Sequence, residues 1–132
     1  MKIILASKSG VRKKILEKNN FNCLVVPSNV DEDQVKDSLL AAGANPMLVS
    51  KNLAELKSIK VSNKYPDQIV LGADSVISLN DRLINKPRSR EEALKTLKEL
   101  NGSIHFLITS VCISKNGAMI WNFTDSSELR MK

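Results

Sequence analysis

The chain has 132 residues, 42% hydrophobic and 26% charged, a balance that suits one domain with a single core. No apolar run approaches a membrane span and residues 1–7 are too few for the apolar region of a signal peptide, so the expectation is a cytoplasmic protein with no membrane partner. Aromatic residues make up only 4%, which leaves few stacking platforms and argues against a nucleic-acid partner. The net charge of +6 is uneven: residues 1–27 carry +5, residues 28–45 carry −3 and the remainder +4. A basic segment beside an acidic one either forms solvated faces or holds a polyanion with its divalent counter-ion. Two cysteines, Cys23 and Cys112, suit buried positions in strand-like segments and are too few for a disulfide framework or a thiolate zinc site.

Residues 2–5 predict a short buried strand, and residues 10–19 a helix with Val11, Ile15 and Leu16 on one face. Ser9 suits the N-cap of that helix. The same hydroxyl, the close approach Gly10 allows and the Arg12 guanidinium would also suit a phosphate at the helix start. A second strand spans 21–26 and stops at Pro27-Ser28-Asn29. Asp31-Glu32-Asp33 reads as an acidic loop that either binds a cation or solubilises the chain. A helix over 34–42 turns Val35, Leu39 and Leu40 inward and closes at Gly43. Asn45 as N-cap and Pro46 at the first helical position open another, which runs to about residue 61 and carries Lys57.

Residues 68–72 and 75–79 predict two buried strands, with Asp74 where the first ends and Asn80-Asp81 as the turn into 82–84. A carboxylate in Gly72-Ala73-Asp74-Ser75 either caps a turn through its own backbone or acts as a metal ligand or water-activating base. Lys57 and Lys86, the latter held by Pro87, are each either solvated or turned to an anionic ligand. Ser89 and Glu92 form a capping box for a helix through residue 100, ended by Asn101-Gly102. Residues 104–114 and 118–124 predict a long hairpin around Asn116-Gly117. His105 has no thiol or triad context and reads as structural.

Taken together, the motifs Leu5-Ala6-Ser7-Lys8-Ser9-Gly10-Val11-Arg12, Val30-Asp31-Glu32, Leu53-Ala54-Glu55-Leu56-Lys57, Leu71-Gly72-Ala73-Asp74-Ser75, Lys86-Pro87 and Leu100-Asn101-Gly102-Ser103-Ile104-His105 resemble, in this order, the Maf family of nucleoside triphosphate pyrophosphatases. The resemblance implies a mixed α/β fold of the Maf/ITPase-like kind, a twisted mixed sheet flanked by helices around an elongated central cleft. It implies hydrolysis of a nucleoside triphosphate, standard or modified, to the monophosphate and pyrophosphate, a nucleotide-pool house-cleaning activity. By position Asp74 matches the general base, Ser9 and Arg12 match phosphate contacts, Lys57 and Lys86 match cleft lysines, and Glu32 matches an acidic site residue. A magnesium or manganese ion, with Glu32 and Asp74 as its ligands, would share the phosphate charge.

Two departures bear on specificity. Gly10 and Val11 stand where the family has a proline and its first arginine, and Ser75 stands in place of threonine, so Val11 and Ser75 are the positions at which base preference is open. The family continues past residues 123–132 through another helix and a Gly-Tyr-Gly-Ile-Gln-like segment. The expectation is therefore one domain over residues 1–132 that lacks this segment. The alternative function is a truncated relative that binds nucleotides or phosphate-rich ligands without turnover, and a homodimer is the candidate assembly.

Overall fold

The computed structural model describes residues 2–7, 10–84 and 89–130. A strand–helix–strand unit opens the chain, with β1 (Lys2–Leu5), α1 (Gly10–Lys18) and β2 (Asn22–Val25). β1 and β2 are parallel neighbours, as a helical crossover requires. Arg12 donates to Ser7 Oγ at 3.2 Å; Ile15 is 55% exposed, against the expectation that it packs, while Leu16 is half-buried.

α2 (Glu32–Ala41) begins two residues before the predicted start, because the Asp31 carboxylate caps it by accepting from Gln34 N. The expected acidic loop is thus a cap and a first helical turn, where carboxylates meet the positive end of the helix dipole. Val35 and Leu39, four residues apart, pack on the core; Leu40 lies further round the helix and is exposed.

α3 (Pro46–Ser62) starts as expected, with Asn45 Oδ1 accepting from Leu48 N at 2.9 Å and Pro46 in the first turn. Ser50, Ala54, Ser58 and Ser62, spaced four apart, form a fully buried stripe of small residues. The stripe lies on β3 (Val70–Leu79) and β5 (Ile104–Lys115). Ser58 Oγ and Ser114 Oγ are 2.7 Å apart, and Ser62 Oγ accepts from Gly117 N at 3.0 Å. A Cβ added to Gly72 would stand 2.5 Å from Ala54 O and 2.8 Å from Ser58 N, so only glycine permits this approach. Along one flank of the stripe lie two apolar clusters, Val49, Leu53, Val76, Leu83 and Ile108 toward the start of α3 and Ile4, Ala6, Val61 and Val70 toward its end. Each fully buried Leu or Val there contributes about 1.5–3 kcal/mol.

The sheet order is β2-β1-β3-β5-β6, with β4 (Arg82–Ile84) pairing the end of β3 and β6 (Ala118–Arg130) at the far edge. β3 is one ten-residue strand, not the two predicted. Its antiparallel ladder to β5 runs unbroken from Val70↔Ser114 to Ser78↔Phe106, and this carries the backbone through Gly72-Ala73-Asp74. On its other edge, β1 pairs only with Val70 and Leu71 and β4 only with Ile77 to Leu79. Residues 72–76 therefore have no strand neighbour on that side among the described residues, and Asp74 lies in the gap.

Both β-hairpins use turns with two positive φ values, Asn80 (52°) with Asp81 (61°) and Asn116 (53°) with Gly117 (78°), the mirror-image type that matches strand twist. The second hairpin is longer than expected, and its outer strand β6 exposes Ile120, Trp121 and Phe123. α4 (Arg90–Leu100) is capped by Ser89 Oγ accepting from Glu92 N. Cys23 is half-buried and Cys112 buried, both unpaired, and burial pushes the Cys112 thiol up to about 11. His105 is buried in β5, and its Nδ1 has no hydrogen-bond partner. No helix among the described residues is long and apolar enough to cross a membrane.

Gly72→Ala should lower stability by about 1–3 kcal/mol or more, the cost of overpacking a dense interior, read as a lower urea midpoint at unchanged slope. A wild-type midpoint would show that α3 does not need the close approach.

Candidate active site

The gap in the sheet opens into a cleft of about 440 Å³ lined by Ala6, Ser7, Arg12, Ser28, Asn29, Val30, Glu32, Lys57, Asp74 and Ser75. β1 brings Ala6 and Ser7 to its mouth, the start of α1 brings Arg12, the start of α2 brings Glu32 and the middle of α3 brings Lys57. Four of the residues singled out in the sequence for phosphate, metal or base chemistry, Arg12, Glu32, Lys57 and Asp74, thus share one wall-to-wall space. Ser9 and Lys86 lie outside the described residues, as does the side chain of Val11.

Asp74 is the most enclosed of the charged groups, with a side chain 9% exposed. Its Oδ1 accepts from Lys57 Nζ at 3.2 Å, while Oδ2 is buried and has no hydrogen-bond partner. Lys57 Nζ also donates to Ala73 O at 3.3 Å and forms an ion pair with Glu32 Oε1. Desolvation raises the Asp74 pKa above its ordinary value; the Lys57 charge and hydrogen bond oppose that rise, and the Glu32 charge reinforces it. The result is a carboxylate with one oxygen fixed and the other turned to no partner, displaced toward the neutral range where a general base works best.

Beneath Asp74, Ser50 Oγ lies 3.1 Å from the Asp74 carbonyl, to which its one hydrogen can be given, and 3.0 Å from Ser110 Oγ, and Ser110 Oγ lies 3.0 Å from Thr124 Oγ1. This run of hydroxyls ties α3 to β3, β5 and β6 at the level of the gap. Ser75 lines the cleft, but its hydroxyl lies 3.1 Å from Thr109 Oγ1 across the ladder.

Sequence reasoning missed Ser7, Ser28, Asn29 and Val30 as lining residues. Asn29 adopts a φ of 56° and its carbonyl accepts from Lys60 Nζ at 2.8 Å. The signal was present in Pro27-Ser28-Asn29, which reads as a strand terminator and also as a turn that tolerates the left-handed conformation.

Among the described residues no group of three or more His, Cys, Asp or Glu side chains forms a metal cage. Glu32 and Asp74 nevertheless supply hard carboxylate oxygens on either side of one ammonium, one of them with an orphaned atom. That donor set fits a magnesium-like ion, which is commonly held by one or two carboxylates plus phosphate oxygens of its ligand.

Comparison with known proteins matches residues 2–132 to the family described as Maf-like protein. A nucleoside triphosphate pyrophosphatase of Pelagibacter ubique is 63% identical over 130 residues, covering 98% of this chain and 67% of that protein. A protein of the same name from Ruegeria pomeroyi is 39% identical, covering 98% and 65%. A 7-methyl-GTP pyrophosphatase of Rhizobium etli is 34% identical, covering 99% and 66%. The chain thus spans about two thirds of the length of these relatives. Among solved structures, a HAM1 protein from Coxiella burnetii superposes with a TM-score of 0.60 at 12% identity, covering 97% of this chain and 71% of that one. The Ham1 protein of Staphylococcus aureus gives 0.55 at 14% identity, covering 97% and 70%. These two likenesses establish the fold type expected from the sequence, a mixed sheet flanked by helices.

The raised Asp74 pKa carries a stability consequence. The folded state holds the Asp74 proton at pH values where the unfolded chain has lost it, so this residue's contribution falls as pH rises from the ordinary 3.8 through the raised native value. Asp74→Asn should therefore melt higher than wild type at neutral pH, with the difference shrinking as the pH is lowered toward 3.8. A difference that does not change with pH, or a lower melting temperature at neutral pH, would contradict this electrostatic account.

Proposed function

The chain belongs to the Maf-like protein family, and on that premise we propose that it hydrolyses nucleoside triphosphates, standard or modified, to the monophosphate and pyrophosphate in the cytoplasmic nucleotide pool. The observation that carries the reading is the Asp74 carboxylate, buried at a cleft of about 440 Å³ that Arg12 and Lys57 also line, with Oδ1 held by Lys57 and Oδ2 unpartnered.

A triphosphate needs fixed cations along its length and a water in line with the leaving group. Arg12 at the start of α1 presents a planar guanidinium to phosphate oxygens, next to Ser7. Lys57 supplies an ammonium, and Ser9 and Lys86 are assigned to the same phosphate contacts through their place in the family motifs. Asp74 Oδ2 takes the proton of the attacking water; the new phosphorus–oxygen bond forms as the bond to the leaving group breaks, and pyrophosphate departs. A divalent ion held by Glu32 and Asp74 would, when bound, neutralise part of the phosphate charge. Base preference is assigned to the neighbourhood of Val11 and Ser75, and the presence of a 7-methyl-GTP pyrophosphatase among the relatives makes methylated guanine nucleotides a worthwhile part of any substrate panel.

Pyrophosphate release from a panel of standard and modified triphosphates with manganese tests the reading. Wild type should turn over at least one of them. Asp74→Asn should lose about 10²–10⁴-fold in kcat while nucleotide binding stays measurable by calorimetry, the range for a lost general base. Equal turnover by the variant would remove Asp74 from that role, and a folded wild-type protein inert toward the whole panel would remove the activity. The acid limb of the kcat/KM profile should lie above the ordinary carboxylate range, in the direction desolvation shifts Asp74. Arg12→Ala should raise KM roughly tenfold or more, as expected for losing a charged hydrogen bond to phosphate.

A further inference from the structure

Lys57 occupies an unusual place for a substrate-binding lysine. Its ammonium pairs with Glu32 Oε1 and lies 3.2 Å from Asp74 Oδ1, so a single cation already stands between the two carboxylates that a divalent ion would use. The Lys57 side chain is 12% exposed, so this charge is not a solvated one that drifts past the site. Beside it Asp74 Oδ2 is buried without a hydrogen-bond partner on a side chain more than nine-tenths enclosed.

We infer that Lys57 is the resident counter-ion of the Glu32–Asp74 pair and keeps a divalent cation off those oxygens until a polyphosphate draws the ammonium away. The inference rests on the triphosphate reading above and deepens it, because it sets the order in which the site is filled. Glu32, Asp74 and Lys57 together carry one net negative charge, and Lys36, whose charge also acts on Asp74, and Arg12 in the same cleft reduce its pull on a cation further. A divalent ion entering that arrangement meets the ammonium at hydrogen-bonding range; Glu32 is 40% exposed, but Lys57 and Asp74 are largely desolvated, and on their side of the cleft like charges repel more strongly than in water. A triphosphate reverses the balance: its oxygens offer the lysine a better-matched partner and complete the shell of a small hard cation that takes only one or two carboxylates from protein.

Water-proton relaxation enhancement, which reports protein-bound Mn²⁺ directly, tests this on the full chain. Without nucleotide, wild type should bind Mn²⁺ weakly, and Lys57→Met should bind it at least about tenfold more tightly because the competing charge is gone. The gain should disappear when Glu32→Gln is added. Lys57→Gln, which keeps a polar end group, should give the same gain and serves if the methionine variant does not fold. Wild type should acquire bound Mn²⁺ when given a nucleoside triphosphate with a methylene bridge between its α and β phosphorus atoms. Nucleotide-free wild type binding Mn²⁺ as tightly as the Lys57 variants would overturn the inference, as would a gain that survives loss of Glu32. If the variants gain Mn²⁺ affinity but an analogue that calorimetry shows to be bound brings no enhancement, release by polyphosphate falls; if no analogue of a panel of bases binds at all, the triphosphate reading falls and the counter-ion role stands.

Discussion

The close seat of α3 on the sheet is the constraint on which the rest depends. Ser50, Ala54, Ser58 and Ser62 are small enough to bring the helix axis down onto β3 and β5, and Gly72 removes the one side chain that would hold it away. The serines do more than leave space. Their hydroxyls find Ser110, Ser114, the Gly117 amide and the Asp74 carbonyl, so the polar atoms that close packing buries are satisfied rather than orphaned. With α3 fixed in this way, Lys57 on its flank is within reach of Asp74. A bulkier stripe would lift the helix and separate that pair.

The charged groups gathered there work against the stability of the protein that holds them. Asp74 is desolvated and only half satisfied, and Glu32 adds a second negative charge nearby. Sites of this kind are expected where a fold gives up stability for reactivity, and the surrounding apolar clusters around Leu53 and Val61 supply the stability that tolerates it.

Local signals in the sequence carried much of the architecture. Asn45 and Ser89 cap the helices they were expected to cap, Asn116-Gly117 makes the hairpin, and the opening strand–helix–strand unit lies where periodicity placed it. What escaped depends on distant neighbours. Gly72-Ala73-Asp74 looks like a strand break because its residues are small and polar, yet those properties serve the approach of α3, a partner nearly twenty residues away in sequence. Periodicity on α1 and α2 identified apolar positions but not how each helix is rotated, which is why Ile15 and Leu40 face outward. At the site, each of Arg12, Glu32, Lys57 and Asp74 had a bland reading when taken alone. Their order along the chain pointed to a shared cleft, and the fold brings the four together.

The gap beside β3 has a further consequence, for how substitutions are tolerated. Leu71 O accepts from Ala6 N, so the backbone groups of Leu71 face β1, and by the two-residue alternation of a strand those of Ala73 and Ser75 turn to the same edge, where no strand follows among the described residues. Lys57 already uses one of them, the Ala73 carbonyl. Hydrogen bonds made by main-chain atoms survive exchange of the side chains that hang from them. The open edge thus gives the cleft a set of contacts that sequence drift at positions 73 and 75 leaves in place, while residues such as Asp74 and Lys57, which act through their side chains, have no such protection.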